Sequence, residues 1–444
     1  MTPPEHDNAC ATAFFHTFGC KLNFAETSSV AEVFASRGIR SVGKDDNPDF
    51  VVINTCSVTA EADRKCRAYI RSLHRQLPEA AILVTGCYAQ LQAQTVAGLP
   101  GVAAVAGIND KLALADIAMA VLEGKYSQPD IAPANTLRGF MPSCSRGDRT
   151  RFFLKVQDGC DYWCTYCTIP RARGRSRSGT IEELVALAEK AAAEGGKEIV
   201  ITGVNIGDFG AGRSDRLIDL CRRLDKVEGI ERYRISSIEP NLLTDELIEF
   251  TAGSRAFMPH FHVPLQSGSD AVLAMMRRRY DTAFFRSKIE RIKELIPDAF
   301  IGVDLIVGAR GETPGEFARS RDFVDSLPVS RLHVFPYSER PGTRALDLDG
   351  VVPENEKHRR VAEMTAVSDA HHAAFARSYI GKVRPVLLEH QHDGGPLAGF
   401  TDNYIRVHTD VPSDFDNRIL PLRLQGVCPG NPTELIAAPL DVLS

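Results

Sequence analysis

The stretch Cys160-Asp-Tyr-Trp-Cys164-Thr-Tyr-Cys167 places three cysteines at gaps of three and two residues in a chain of 444 residues. Three thiolates at this spacing can bind three irons of a four-iron cluster and leave the fourth iron open to a substrate. Bacterial ferredoxins use two-residue gaps and supply a fourth cysteine, whereas residues 168–220 contain neither cysteine nor histidine. A closed zinc site is the alternative, and it would need a fourth ligand from Cys144, His260 or His262. The spacing favours the open cluster.

Strands and helices alternate on the N-terminal side of this stretch, from about residue 13 to residue 124, as in a doubly wound α/β domain. The pattern predicts strands at Ala13–Phe18, Asp49–Asn54 and Ala81–Thr85, helices at Asn23–Arg37 and Ala60–Gln76, and a third helix after the last of these strands. A cysteine closely follows each strand, namely Cys20, Cys56 and Cys87. Parallel strands end at one edge of a sheet, where open α/β sheets place their ligands. Three cysteines at that edge indicate a second iron–sulfur cluster, although any one alone would count as an ordinary buried residue.

On the C-terminal side, from about residue 141 to residue 377, a strand–helix unit repeats six times and predicts a partial parallel barrel. The expected strands are Phe152–Gln157, Glu198–Thr202, Arg232–Ser236, Phe261–Pro264, Phe300–Ile306 and Arg331–Phe335. Barrel geometry puts reactive groups at the carboxyl ends of such strands. The turns there carry glycines and polar side chains that suit a bound cofactor. The candidate cofactor-binding residues are Gly203, Asn205, Ser237, Glu239 and Gln266.

The last part of the chain changes to short strands separated by turns, which predicts a small all-β domain. Its strands are expected at Lys382–Glu389, Gly399–Val407 and Ile419–Leu424. Residues 377–444 hold six Lys/Arg and eight Asp/Glu, so this domain is not basic. Its charge alone therefore gives no reason to expect that it binds nucleic acid.

The composition is that of a globular protein of roughly two to four domains, with 44% hydrophobic and 25% charged residues. A formal charge of −5 argues against broad nonspecific binding of nucleic acid, so any RNA contact must use local patches. The eleven cysteines are odd in number and six of them have ligand-like contexts, which favours reduced, metal-binding thiols over disulfides. No apolar run has the length of a membrane span, and the polar start at residues 1–8 lacks the features of a signal peptide. We expect a cytoplasmic protein with no membrane partner.

Four segments resemble the radical-SAM methylthiotransferase family: Thr17–Asn23, Asn54–Thr59, Thr85–Gln90 and Gln157–Pro170. The CxxxCxxC spacing is also similar to that of the wider radical S-adenosylmethionine (SAM) superfamily, in which the amino and carboxylate groups of SAM occupy the open iron. The resemblance implies two [4Fe-4S] clusters, an auxiliary cluster on Cys20, Cys56 and Cys87 and a SAM cluster on Cys160, Cys164 and Cys167. It further implies that the polar turns after the barrel strands form a SAM-binding rim.

The same resemblance implies three domains. These are an N-terminal methylthiotransferase domain at residues 11–138, a radical SAM core at residues 141–376 and a C-terminal β domain at residues 377–444. The C-terminal β domain resembles the TRAM domain, an RNA-binding barrel of tRNA-modifying enzymes.

Several residues are candidate RNA contacts. In the TRAM-like domain these are Tyr404 and Arg406. Next to the cluster loop, arginines occupy every second position of 171–177 and all of 277–279. Such runs are either solvated faces or contacts to RNA phosphates.

The resemblance implies a division of labour between the clusters: one cleaves SAM to a 5′-deoxyadenosyl radical, the other handles sulfur, and a second SAM supplies a methyl group. The contexts Gly19–Asn23 and Gln157–Gly159 resemble the branch that methylthiolates carbon 2 of threonylcarbamoyladenosine at position 37 of tRNA, in the anticodon loop. The expected partners are tRNA, an electron donor such as flavodoxin or ferredoxin, and a sulfur source. The alternative substrates are isopentenyladenosine in tRNA and an aspartate of a ribosomal protein. A noncatalytic iron–sulfur RNA-binding protein is the alternative from another class.

Overall fold

The computed structural model describes residues 10–145, 150–389 and 396–440. The polar start at residues 1–8 lies outside the described residues. Three units follow one another along the chain: a parallel sheet with helices, an open parallel barrel and a small closed barrel. The predicted fold class is confirmed.

The N-terminal domain is built on a sheet of parallel strands. Its strands are β1 (Thr12–Thr17), β2 (Arg40–Ser41), β3 (Phe50–Thr55), β4 (Ala81–Gly86) and β5 (Val102–Val105). Its helices are α1 (Lys21–Ser36), α2 (Ala60–Gln76), α3 (Cys87–Leu91), α4 (Ala93–Ala97) and α5 (Leu114–Leu122). The strands lie in the order β2-β1-β3-β4-β5. Because β1, β3 and β4 are neighbours and parallel, their carboxyl ends meet at one edge.

The three predicted strands and the first two predicted helices of this domain are confirmed, with small shifts at their ends. The third predicted helix is present as two short helices, α3 and α4. The two short edge strands, β2 and β5, were not predicted. Strand β2 has only two residues, both exposed, and β5 reads Val-Ala-Ala-Val. Neither gives the alternation of apolar and polar side chains by which a strand is recognised.

The central unit is an open barrel. Its strands are β6 (Ser143–Cys144), β7 (Arg151–Lys155), β8 (Gln157–Asp158), β9 (Arg177–Ser178), β10 (Glu198–Thr202), β11 (Arg232–Ile235), β12 (His260–His262), β13 (Phe300–Val307) and β14 (Arg331–Pro336). Six of them run parallel as two sheets, β7-β10-β11 and β12-β13-β14, and β6 joins β7 antiparallel. Isolated bridges pair Tyr233 with Phe257 and Ser237 with His262 and so connect the two sheets. The predicted six-strand partial barrel is confirmed.

Helices cover the outside of this barrel. They are α7 (Ile181–Ala193), α8 (Leu217–Leu224), α9 (Asp245–Gly253), α10 (Asp270–Met275), α11 (Thr282–Leu295), α12 (Pro314–Asp325) and α13 (Glu354–Arg377). A short helix, α6 (Ile169–Arg173), instead packs against α3 of the N-terminal domain. The alternation along β7 sends Phe152 and Leu154 into the core beneath the outer helices. Phe153 points to the opposite face, where it packs with Ala25 of α1. Helix α1 of the N-terminal domain therefore lies against the inner face of the barrel.

The C-terminal unit is a closed barrel of five strands. They are β15 (Val383–Glu389), β16 (Leu397–Thr401), β17 (Arg406–Thr409), β18 (Ile419–Cys428) and β19 (Asn431–Pro439), in the closed order β15-β16-β17-β19-β18. The single strand predicted at Gly399–Val407 is wrong. A turn interrupts it, in which Tyr404 has φ 68° and the N–H of Ile405 donates to Thr401 Oγ1. Asp and Asn before that tyrosine are ordinary turn residues.

Two buried arginines of β11 attach this barrel to the central unit. Arg232 donates to the carbonyls of Phe400 and Pro385 at 2.9 and 2.8 Å. Arg234 donates to the carbonyls of Asp402 and Thr401 at 2.8 and 2.9 Å. No helix in the described ranges is long and apolar enough to cross a membrane.

Candidate functional site

The three N-terminal cysteines lie at one edge of the parallel sheet. Cys20 is the N-cap of α1 after β1, Cys56 directly follows β3, and Cys87 is the first residue of α3 after β4. Burial raises the pKa of the Cys56 thiol to about 12, and repulsion from Cys87 and Cys20 contributes to the rise. The structure thus brings the three sulfur atoms into electrostatic range of one another.

Two glycines allow this close approach. Gly19 has φ 95°, and a Cβ there would lie 2.7 Å from the Cβ of Cys56. Gly86 has φ 100°, and a Cβ there would lie 2.3 Å from the carbonyl oxygen of Thr55. Both contacts are shorter than real side chains tolerate, so the residues that precede Cys20 and Cys87 must be glycine.

Hydrogen-bond donors point at these sulfur atoms. The backbone N–H of Asn23 opposes the rise in the pKa of Cys20, and that of Val58 opposes the rise in the pKa of Cys56. The Nε of Arg173 lies 3.3 Å from the Sγ of Cys87. Donors of this kind favour the thiolate, which is the form that binds metal.

The second cysteine set lies on the loop between β8 and α6, at the carboxyl end of the open barrel. The N–H of Cys160 donates to the carbonyl of Gly174 at 3.0 Å, and the N–H of Cys167 donates to the carbonyl of Cys164 at 3.1 Å. The N–H of Tyr162 lies 3.3 Å from the Cys160 sulfur. Burial raises the pKa of Cys160 and of Cys167 to about 12. The loop therefore holds its thiols in buried or partly buried positions, and hydrogen-bond donors lie near some of the sulfur atoms.

Arg278 connects this loop to a predicted SAM contact. Its Nη1 lies 3.1 Å from the Sγ of Cys164, its Nη2 forms an ion pair with Glu239, and its Nε donates to Tyr280 at 3.0 Å. Its side chain is only 2% exposed. The hypothesis that Arg278 contacts RNA phosphate is therefore wrong. Sequence reasoning missed this residue because nothing in three successive arginines distinguishes the middle one.

The turn after β10 brings Gly203 and Asn205 to the cluster loop. Gln157 accepts hydrogen bonds from the backbone N–H groups of Val204 and Asn205 and donates to the carbonyl of Gly159 at 2.8 Å. A Cβ on Gly203 would lie 2.9 Å from the Gln157 carbonyl oxygen. The Nδ2 of Asn205 donates to Asp208 at 2.8 Å, while its buried Oδ1 has no partner among the described residues. That oxygen is available to a ligand donor.

Ser237 and Gln266 belong to a polar group on the inner face of the barrel. The Oγ of Ser237 lies 3.2 Å from Nδ1 of His262, whose Nε2 lies 2.7 Å from Asp304. Gln266 has φ 72°, and its N–H donates to the carbonyl of Asp304 at 2.8 Å. The ring of His333 lies 5.1 Å from that of His262. The sequence did not single out His262, Asp304 and His333 as a group, because they come from three strands.

The described residues do not support a zinc site. No group of three or more His, Cys, Asp or Glu side chains within them is placed to hold one metal ion. Cys144 packs in the core, and His260 lies between the rings of Phe300 and Tyr404, 5.6 and 4.4 Å away. A cluster binds each thiolate through a different iron, so its ligands need not converge on one point. The cysteine thiols have hydrogen-bond donors nearby but are not arranged around a single metal position, and this arrangement fits an iron–sulfur cluster.

A buried ionic network joins the two cysteine sites. Arg173 of α6 donates to Glu26 of α1 at 2.9 Å and to Asp158 at 3.0 Å, besides its contact with Cys87. Lys155 lies 2.6 Å from Glu26 and 2.9 Å from Asp158. The side chains of these four charged residues are 1–2% exposed. The hypothesis that Arg173 contacts RNA phosphate is therefore wrong, since its charge is used inside the molecule.

The network keeps its carboxylates ionised. Burial opposes ionisation, yet Arg173, Lys111 and Lys155 together hold the pKa of Glu26 well below its usual range. Asp158 is likewise buried, and Arg173 and Lys155 lower the pKa of its carboxyl. Glu26 lies in the N-terminal domain and Asp158 in the open barrel, so the network fixes the two units against each other.

The candidate RNA contacts of the C-terminal barrel are also engaged within the molecule. The ring of Tyr404 lies 4.8 Å from Phe400 and 4.9 Å from the guanidinium of Arg234. Arg406 lies 3.9 Å from Glu434. Tyr404 thus belongs to the junction with the open barrel.

Comparison with known proteins matches two family models to this chain. A model of the radical SAM superfamily matches residues 154–324, and a model of an uncharacterized protein family, UPF0004, matches residues 12–107. The first segment includes the cysteine loop of the barrel, and the second includes the three cysteines at the sheet edge.

Curated relatives span nearly the whole chain. A threonylcarbamoyladenosine tRNA methylthiotransferase (MtaB) from Bacillus subtilis strain 168 is 37% identical over 93% of this chain and 94% of its own length. The protein of the same name from Thermotoga maritima is 36% identical over 89% of this chain and 90% of its own length. A tRNA-2-methylthio-N(6)-dimethylallyladenosine synthase from Syntrophotalea carbinolica is 31% identical over 93% of this chain and 96% of its own length.

A solved structure shares the fold. It is the radical SAM methyltransferase TsrM from Kitasatospora setae with cobalamin and a [4Fe-4S] cluster bound, 15% identical, with a TM-score of 0.57 over 75% of this chain and 76% of that one. At this identity the likeness concerns the fold alone.

Proposed function

The chain belongs to the radical-SAM tRNA methylthiotransferase family, and from that membership we propose that it adds a methylthio group to carbon 2 of threonylcarbamoyladenosine at position 37 of tRNA. The observation that carries the proposal is the pair of three-cysteine sites, one at the sheet edge and one at the barrel end, joined by Arg173. Relatives named for this substrate reach 37% identity, against 31% for the dimethylallyladenosine synthase quoted above.

We assign one [4Fe-4S] cluster to each cysteine set, with SAM at the open iron of the cluster on Cys160, Cys164 and Cys167. When bound, these groups supply the carbon radical and the sulfur that an aromatic C–H bond requires, since that bond has no acidic proton and no leaving group. The chain's own task is positioning. Asn205 offers an unpartnered oxygen, and Arg278 holds Glu239 beside the cluster loop.

The remaining cofactor contacts are proposed from the same rim. Gly203 lets the backbone approach closely, while Ser237 and Gln266 stand near the His262–Asp304 pair. We also propose that residues 11–138 form the auxiliary-cluster domain, 141–376 the radical SAM core and 377–444 the TRAM-like domain. The reaction further needs an electron donor such as flavodoxin or ferredoxin and a sulfur source. We propose that the protein acts in the cytoplasm, where tRNA is modified.

Mass spectrometry of tRNA nucleosides from a strain that lacks the gene tests this function. We expect threonylcarbamoyladenosine to accumulate without its methylthio group, and the wild-type gene to restore the product. Isopentenyladenosine derivatives and ribosomal proteins should stay unaltered. Loss of the methylthio group from isopentenyladenosine instead would assign the chain to the sibling branch represented by the Syntrophotalea relative.

The noncatalytic alternative has its own test. Reconstituted and reduced protein is incubated with SAM, and 5′-deoxyadenosine is measured. Release of this product supports an enzyme, whereas two fully loaded clusters without any release would support an iron–sulfur RNA-binding protein.

A further inference from the structure

Lys21 lies where the three units of the molecule meet. It follows Cys20 directly and is the first residue of α1, the helix that packs on the inner face of the barrel. Its ammonium group interacts electrostatically with Arg234 of β11 and with Tyr404 of the C-terminal barrel. It also interacts with His333 of β14. Lys21 therefore directly follows a cysteine of the auxiliary-cluster site and lies within electrostatic range of His333 on the inner face of the barrel.

The neighbouring cations already have partners. Arg234 lies 2.9 Å from Glu198 and donates to two carbonyls of the C-terminal barrel. Arg151 lies 2.8 Å from Glu389. Lys21, in contrast, has no carboxylate within ion-pair distance and no hydrogen-bond acceptor for its ammonium in the part of the chain that the structure describes. A half-buried cation in a protein is normally paired. Glu198 attracts Lys21 electrostatically, but its ion pair is with Arg234, so Lys21 has no ion-pair partner of its own among the described residues.

The surrounding inner face can hold a polar ligand. Asp304 and Ser237 flank His262 at hydrogen-bond distance. His333 lies beside them and has no hydrogen-bond partner among the described residues. Acceptors and donors thus lie on the same inner face as His333, which is within electrostatic range of the Lys21 ammonium.

We propose that Lys21 determines substrate specificity by binding the carboxylate of the threonylcarbamoyl group on the target adenosine. This inference rests on the proposed function and deepens it. The threonylcarbamoyl group carries a carboxylate, a hydroxyl and a urea, whereas an isopentenyl group carries no charge and no hydrogen-bonding atom. Lys21 provides the charge partner, and the His262–Asp304 pair with the neighbouring His333 provides hydrogen bonds for the rest. A site built to bond polar atoms rejects an analogue that lacks them.

Equilibrium binding to an anticodon stem–loop RNA tests the inference with the full-length, cluster-loaded protein. One RNA carries threonylcarbamoyladenosine, and a matched RNA carries its methyl ester, which removes the negative charge and adds one methyl group. We expect wild-type protein to bind the ester about ten- to hundredfold more weakly, the range of a charge-assisted hydrogen bond. Lys21→Gln should bind the acid as weakly as wild type binds the ester and should not distinguish the two RNAs.

Three controls keep this test sharp. Lys21→Arg should retain the preference for the acid. Lys65→Gln, at an exposed lysine of α2, should behave as wild type. Iron content is measured for each variant, because Lys21 adjoins Cys20, and the ester comparison on wild-type protein stands even where a variant loses iron.

The outcomes separate the inference from the function on which it rests. Equal binding of acid and ester by wild-type protein, or an undiminished preference in Lys21→Gln, would overturn the role of Lys21. A third RNA that carries isopentenyladenosine tests the function itself. If wild type methylthiolates that RNA and not the threonylcarbamoyl RNA, the proposed function fails, whatever Lys21 binds.

Discussion

At the scale of single residues, the site depends on arginines that look like surface residues in the sequence. Arg278 reaches Glu239, which is 39 positions away along the chain. Arg173 reaches Glu26, which is 147 positions away. The cysteines could be predicted because their chemistry and spacing are local. An arginine can be buried only if the fold brings a carboxylate to it from a distant part of the chain. The sequence around the arginine does not indicate which carboxylate that is.

The two cysteine sets should be separable by mutation. Changing Cys160, Cys164 and Cys167 together to alanine should halve an iron content of about eight per chain and abolish SAM cleavage. Changing Cys20, Cys56 and Cys87 to alanine should also halve the iron, but SAM cleavage should persist while the methylthio product is lost. Anaerobic iron analysis and assays for 5′-deoxyadenosine and product measure these effects.

Cys66→Ala is the matched control, since Cys66 is fully buried in α2 beside Cys56 and is not assigned as a ligand. It should keep both clusters. Unchanged SAM cleavage in the first triple variant, or full product formation in the second, would contradict the assignment of the two sites.

At the scale of elements, the sheet edge depends on turns that only glycine can form. Strand β4 ends at Gly86, whose backbone places Cys87 at the start of α3. The long strands and helices were predictable because their apolar side chains repeat with the period of a strand or a helix. The turn at Tyr404 was not, because an aromatic residue rarely adopts positive φ.

Gly86→Ala should destabilise the protein more than Gly38→Ala. Both glycines have positive φ, but a Cβ on Gly38 meets nothing within 4 Å, whereas a Cβ on Gly86 meets the Thr55 backbone. We expect Gly38→Ala to lower the free energy of unfolding by about 1 kcal/mol, because alanine must adopt the left-handed backbone conformation but meets no steric contact. Gly86→Ala should cost roughly 3 kcal/mol or more and lower the iron bound at the N-terminal site. Chemical denaturation measures the stability of the two variants, and iron analysis measures their iron content. Equal losses of stability in the two variants would show that the short distance between Gly86 and the Thr55 backbone is unimportant.

At the scale of the whole molecule, the buried network around Glu26 and Asp158 fixes the N-terminal domain to the open barrel. Both carboxyls have pKa values below their usual range because arginine and lysine surround them. A carboxylate with a lowered pKa stabilises the folded state above its unfolded pKa of about 4. That stabilisation is lost as the pH falls from there toward the folded pKa.

The free energy of unfolding should therefore begin to fall below about pH 5 and keep falling as the pH drops toward the low folded pKa values of these carboxyls. Glu26→Gln should lower it at pH 7 by roughly 3 kcal/mol, because three cations lose their shared partner, and should flatten the fall below pH 5. Denaturant titrations at several pH values measure this. Glu79→Gln, at an exposed glutamate, is the control, and the idea fails if both variants show the same pH profile.

The attachment of the C-terminal barrel has an evolutionary consequence. Arg232 and Arg234 donate hydrogen bonds to main-chain carbonyls of that barrel. A carbonyl is present whatever amino acid stands at its position, so these bonds survive substitution of the residues that they contact. The side chains at these four positions can therefore change without loss of the anchorage, so the junction between the two units tolerates sequence change on the barrel side.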